Sequence, residues 1–143
     1  MTAFEIHPDS IYFIDTNVWL YSFIQSQNVG KTEIAAAIIK ECEIVISTQI
    51  INEICVNLIK KANFTEHKIQ DLIKSFYRKF TVLELSQDIL LQSSDIRLRH
   101  NYSFWDSLVA ASALDCDADF LLSEDMQHNF KFKNKLTIIN PFI

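Results

Sequence analysis

Glycine and proline are nearly missing from this chain, which has one Gly and two Pro in 143 residues. Their scarcity predicts helices and strands joined by short connections. No linker, internal repeat or low-complexity tract interrupts them. Long apolar runs are missing too. None approaches the roughly 18 residues of a membrane span, and residues 1–10 lack the basic-then-apolar pattern of a secretion signal. The expected location is the cytoplasm, with no membrane partner. Cysteine is sparse: Cys42, Cys55 and Cys116 form no CxxC pair, so neither a disulfide frame nor a zinc site is suggested. His7, His67, His100 and His128 show neither HExxH nor metal-finger spacing. Positive charge is in deficit, with a formal net charge of −5. That weighs against a protein that grips nucleic acid by bulk basic charge. It leaves open an enzyme that meets phosphate through divalent cations, because such ions need acidic ligands.

What the chain does have is apolar mass, 49% of its residues. That is enough to bury a real core, and the expectation is one domain spanning residues 1–143. Ile11–Ile14 reads as a short buried strand ending abruptly at Asp15-Thr16-Asn17. Ile34, Ala35, Ile38, Ile39 and Cys42 form a helical stripe. Ile44–Ile46 is a second strand. Ser47 or Thr48 caps a helix running to about Ala62, and Thr65 caps another whose apolar set includes Ile69, Ile73 and Phe76. A third strand is expected over 81–85, with Ser86 opening a helix to about Arg99. Ser103 opens a helix from Phe104 to about Leu114. Phe120–Leu122 and Leu136–Ile139 complete five strands. Short apolar strands separated by helices imply a parallel sheet covered on both faces.

In such a sheet ligands gather beyond the carboxyl ends of the strands. Asp15 and Asp125 follow strand ends, Glu53 lies early in the helix after the second strand, and Asp106 lies in the first turn of the helix before the fourth. Each has a plain structural reading as well. Asp15 suits a turn, Glu53 a solvated helix face and Asp125 a polar loop. Ser103 and Asp106 have capping-box spacing. Asp106 is nonetheless the most telling. Its helix, Phe-Trp-Asp-Ser-Leu-Val-Ala-Ala-Ser-Ala-Leu, is apolar nearly all round and should be buried, where a carboxylate is costly unless paired or bound to a cation.

Five segments in order, Tyr12-Phe-Ile-Asp-Thr-Asn17, Ser47-Thr-Gln-Ile-Ile-Asn-Glu53, Phe104-Trp-Asp-Ser-Leu-Val-Ala-Ala-Ser-Ala113, Leu121-Leu-Ser-Glu-Asp125 and Ile139-Asn-Pro-Phe142, resemble the PIN domain, and within it the VapC-like toxin group. The resemblance covers almost the whole chain. It implies an α/β fold, a three-layer α/β/α sandwich with a central five-stranded parallel sheet. It implies a ribonuclease whose acidic pocket, Asp15, Glu53, Asp106 and Asp125, binds Mg²⁺ or Mn²⁺, with Asn17 and Ser123 as polar supports. Ala110 stands one turn after Asp106, where the family sometimes carries a further acid. The resemblance also implies an RNA substrate, a small antitoxin as partner and a homodimer.

On the expected mechanism Asp15 and Asp106 hold the main cation, Asp125 completes the shell, and Glu53 holds a second ion or orients the attacking water. Candidate phosphate contacts are Lys60 and Lys61, Arg78 and Lys79, Arg97, Arg99 and His100, and Lys131, Lys133 and Lys135, all of which equally suit a solvated surface. Phe130 and Phe132 alternate with the last group, either as an aromatic face for a base or as core. Three other readings are weaker. A catalytically silent PIN-like binding module does not need four acids. A phosphotransferase of the haloacid dehalogenase type wants a second aspartate where Asn17 stands. Gly30-Lys31-Thr32 looks like the end of a phosphate loop, but Gln25 occupies the place of its first glycine.

Overall fold

The computed structural model describes residues 4–24 and 28–143. Gln25 of the loop-like stretch lies outside the described residues. The elements run β1 (Ile11–Ile14), α1 (Thr16–Phe23), α2 (Val29–Glu41), β2 (Glu43–Ser47), α3 (Thr48–Ala62), α4 (Glu66–Lys79), β3 (Thr81–Leu83), α5 (Gln87–Arg99), α6 (Phe104–Asp115), β4 (Phe120–Leu122), β5 (Lys131–Phe132) and β6 (Leu136–Ile139). No described helix is long and apolar enough to cross a membrane.

The helix starts follow from side-chain chemistry. Ser47, Thr65, Ser86 and Ser103 are extended residues whose hydroxyls accept a hydrogen bond from the backbone N–H three positions on, which satisfies a donor the helix leaves unpaired. Glycine plays no part in the tight turns. Among the described residues the positive-φ positions are Asn63, Asp117, Asn129, Lys133 and Asn134. Four of the five are Asn or Asp, the non-glycine residues best able to adopt that conformation.

The sheet has strand order β3-β2-β1-β4-β6-β5. The first five strands in that order run parallel, and β5 pairs antiparallel with β6. The expected five-stranded parallel sheet is therefore a six-stranded mixed one. The extra strand comes from a hairpin closed by Lys133 and Asn134, at φ 52° and 53°, with the Lys135 N–H donating to the Phe132 carbonyl at 2.9 Å. Two successive positive φ values are what a type I′ hairpin turn requires, but Lys-Asn lacks the Asn-Gly signature that announces one. The third strand is also shorter than the expected 81–85.

Helix α1 packs on α2 and α3, and α3 on α4, whereas α5 and α6 pack on each other. Right-handed crossovers put these groups on opposite faces of the sheet. The central strand β1 is buried from Tyr12 onward, and Ile46, Leu121 and Leu122 beside it are wholly buried. Trp19 anchors α1: its indole N–H donates to the Ile14 carbonyl at 3.1 Å, and its ring meets Phe76 and Phe80 edge-on. The chain moves from β1 to β2 and β3 in one direction, then returns across the sheet to β4. The crevice between β1 and β4 is the switch point at which ligands sit in such sheets.

The hairpin gives a direct test. Asn134→Ala places a Cβ-bearing residue without Asn's tolerance at φ 53° and is expected to cost about 1 kcal/mol in urea unfolding. Asn134→Gly is expected to unfold no more easily than wild type.

Candidate acidic site at the carboxyl edge of the sheet

Asp15, Glu53, Asp106 and Asp125 line one cavity of about 260 Å³, together with Thr16, Asn17 and Trp105. The four acids come from the end of β1, the second turn of α3, the first turn of α6 and the loop after β4. Among the described residues no three acidic, histidine or cysteine side chains close into a ready-made cation cage. The carboxylates share the cavity without meeting at one point.

Asp15 is the buried member, 7% exposed. It is the N-cap of α1, and its Oδ1 accepts from the Thr16 N–H at 2.8 Å. Its Oδ2 accepts from the Ser123 hydroxyl at 2.8 Å. Burial pushes the Asp15 carboxyl up to about 6, with the Ser123 and Thr16 hydrogen bonds pulling the other way and the Asp106 and Glu53 charges adding to the rise. Asp106 is half-buried. Its N–H donates to the Ser103 hydroxyl at 3.1 Å, so the capping reading holds for its backbone. Burial raises its carboxyl too; Ser103 opposes this, and the Asp125 and Glu53 charges reinforce it. Asp106 is thus both a first-turn acid and a lining residue of the cavity.

Both oxygens of Glu53 are engaged. The Thr16 hydroxyl donates to Oε2 at 2.5 Å and the Gln49 amide to Oε1 at 2.9 Å. Asp125 is exposed, and the Asn17 amide donates to its Oδ2 at 2.9 Å. Asn17 also accepts from the Glu124 N–H at 3.2 Å. The Ser123 hydroxyl accepts from the Asp125 and Met126 N–H groups, each at 3.3 Å. Asn17 and Ser123 therefore each hydrogen-bond one of the acids. Thr16 and Gln49 were missed. Gln49 carried a signal, lying one helical turn before Glu53 on the same face.

The neighbouring acid is accounted for elsewhere. Glu124 pairs with Lys31 and accepts from the Tyr21 hydroxyl at 2.7 Å. Lys31, the lysine of the loop-like Gly30-Lys31-Thr32, thus ties α2 to the loop after β4, and no strand leads directly into that stretch.

The candidate phosphate contacts separate by position. Arg97 stands 4.1 Å above the ring of Phe104, the residue before the cavity-lining Trp105, and has no acidic partner among the described residues. Arg99 is held by Asp95, i to i+4. Lys61 lines a surface pocket with Asn17, next to the acids. Lys131 and Lys133 belong to the β5–β6 hairpin, whose turn precedes Leu136 and so lies at the amino end of the parallel strands, away from the acids. Lys135 pairs with Asp117. Phe132 is buried and meets Phe130 and His100 edge-on and Tyr102 at a tilt. Phe132 is core, and Phe130 is half-buried against it.

The PIN domain family model matches residues 12–131, and the chain belongs to that family. No curated protein matches it significantly in sequence. Solved structures share its fold. A toxin–antitoxin complex from Klebsiella pneumoniae superposes with TM-score 0.67 at 18% identity, covering 91% of this chain and 97% of that one. The Mycobacterium tuberculosis toxin VapC20, described as cleaving the sarcin–ricin loop, gives 0.64 at 16% identity, over 80% and 91% of the two chains. VapBC2 from Rickettsia felis, bound to a promoter DNA fragment, gives 0.63 at 17% identity, over 91% and 99%.

The raised Asp15 has a sign that stability measurements read. With a folded pKa of about 6 against an ordinary 3.8, the folded state binds the proton more tightly, so stability falls as pH rises between those values and the penalty is complete above about 6. Two units correspond to roughly 3 kcal/mol. In EDTA the melting temperature is expected to climb as pH falls from 7 towards 5, and Asp15→Asn to flatten that slope. An equal slope in the variant would contradict the assignment.

Proposed function

We propose that the chain is a divalent-cation-dependent ribonuclease hydrolysing RNA phosphodiester bonds, and the toxin of a VapBC-like pair. The observation that carries this reading is the gathering of four carboxylates on one cavity at the sheet's switch point. Their donor set is hard oxygen throughout, which suits Mg²⁺ or Mn²⁺ and not a soft thiophilic metal. Burial, reinforced by the neighbouring acids, raises the Asp15 and Asp106 carboxyls, a cost that a bound cation would offset. Membership of the PIN family and the shared fold of toxin structures support the same reading.

Asp15 and Asp106 would hold the cation, with Asp125 completing its shell. Bound there, the cation supplies charge stabilisation at the phosphate and acidifies the attacking water. Glu53, fixed by Thr16 and Gln49, orients that water and accepts its proton at a carboxylate oxygen. Asn17 holds Asp125 towards the cavity while Ser123 anchors Asp15, so the acids keep their places when the site is empty of charge partners. Arg97 and Lys61 are the cations best placed to meet flanking phosphates. The proposed partners are the RNA and a small antitoxin, with the toxin itself a homodimer in the cytoplasm. Antitoxin-bearing structural neighbours support the partner.

Purified protein with end-labelled RNA is expected to cut in Mg²⁺ or Mn²⁺, to stop in EDTA, and to lose roughly a hundredfold or more in rate on Asp106→Asn. Mn²⁺ at a hundred times its Kd should add about 2.7 kcal/mol of stability to wild type, and much less to the variant. Absence of cleavage with every RNA pool would leave the silent binding module as the better reading.

A further inference from the structure

The acidic cavity is not closed on itself. Through Glu53 and Trp105 its wall continues into a second cleft of about 600 Å³, lined besides by Gln49, Asn52, Val56 and Leu85. That volume is typical of sites that enclose small organic groups, about 300–1,000 Å³. Two features of this cleft have no structural use. Trp105 is 60% exposed, against 1% for the other tryptophan, Trp19. Gln49 is 8% exposed, and its Oε1 is buried without a hydrogen-bond donor among the described residues, while its Nε2 is committed to Glu53. A buried acceptor without a donor costs on the order of 1–3 kcal/mol.

We infer that this cleft seats an unpaired nucleobase of the RNA, stacked on the Trp105 indole, while the adjoining phosphate lies over the four carboxylates. This rests on the ribonuclease reading and adds to it a residue that sets which strand conformation is cut. The chemistry of the lining selects the occupant. Val56, Leu85 and the indole supply apolar lining for a flat ring, and Gln49 and Asn52 add amide side chains to the same lining. A nucleobase carries ring and exocyclic N–H donors on its edge, and aromatic stacking with edge hydrogen bonding is how proteins seat splayed-out RNA bases.

The charges agree. An acidic cavity repels the RNA backbone on its own, and Arg97 is a cation without an acidic partner among the described residues, as is Lys61 on the Asn17 side. Its guanidinium lies on Phe104, and Phe104 meets Trp105 edge-on with centroids 5.1 Å apart. The ladder Arg97, Phe104, Trp105 links a positive charge to the base platform, which also lines the acidic cavity. A base reaches the platform only when unpaired and unstacked from its neighbours, so the cleft selects single-stranded or looped RNA.

The test measures cleavage of a short RNA by wild type, Trp105→Phe and Trp105→Ala. Each enzyme receives an intact strand and strands abasic at each nucleotide flanking the cut. Trp105→Ala is expected to raise KM about tenfold or more with kcat changed only a few-fold, and Trp105→Phe to restore most of the affinity. One abasic position should raise KM for wild type by a similar factor and leave Trp105→Ala unaffected. Because the side chain is exposed, the melting temperatures of the variants should stay within a few degrees of wild type. If wild type cuts RNA and Trp105→Ala keeps its KM, or if the abasic penalty persists in Trp105→Ala, the base seat is wrong and the cleft belongs to a protein segment. If wild type cuts no RNA, the ribonuclease reading itself falls and takes the base seat with it.

Discussion

The structure turns on a buried carboxylate at the end of its central strand. Asp15 closes β1, opens α1 as its cap and accepts the Ser123 hydroxyl from the end of β4, so one side chain joins the two strands that flank the switch point. Its own N–H donates across to the Leu122 carbonyl at 2.9 Å. Ser123, wholly buried, then directs the loop after β4 by accepting from Asp125 and Met126. Moving Asp15 would therefore disturb the helix start, the strand pairing and the position of Asp125 together. An ionised group in that place is costly, and the fold tolerates it through two hydrogen bonds that oppose the desolvation.

Around this carboxylate the other acids are held by donors that leave them in register without neutralising them. Thr16 and Gln49 fix Glu53, Asn17 fixes Asp125, and none of these donors carries charge. The one lysine that comes close in sequence to a recognisable motif, Lys31, is spent on Glu124. The cavity thus keeps its negative charge, as the proposed cation would require.

Much of this was legible in the residues. The abrupt ends of β1 and β4 at Asp15 and Ser123, the serine and threonine caps, and an acid on the otherwise apolar α6 located the carboxyl edge and its four lining acids. What was not legible depends on three-dimensional neighbours. Thr16 stood in plain view beside Asp15, but its partner Glu53 is 37 residues away, and no local pattern announces that contact. The β5–β6 hairpin was missed because its turn uses Lys and Asn where the usual signal is Asn and Gly. The hairpin also moved Lys131 and Lys133 to the wrong end of the sheet for the acids. Trp105 read as one more apolar residue of a buried helix. It sits in the first turn, where the helix emerges from the core, and periodicity cannot distinguish an emerging ring from a buried one.

The hairpin lysines have another consequence. A sheet in an open α/β fold has two free borders, and each is an invitation for a second chain to add a strand. Here one border is β3, three residues long, and the other is β5, two residues long. Lys131, Lys133 and Lys135 crowd the second. An approaching strand would find two residues of ladder beside the Lys131 and Lys133 charges, too little to nucleate pairing. The residues that first looked like a grip on RNA instead flank a border too short to recruit a further strand.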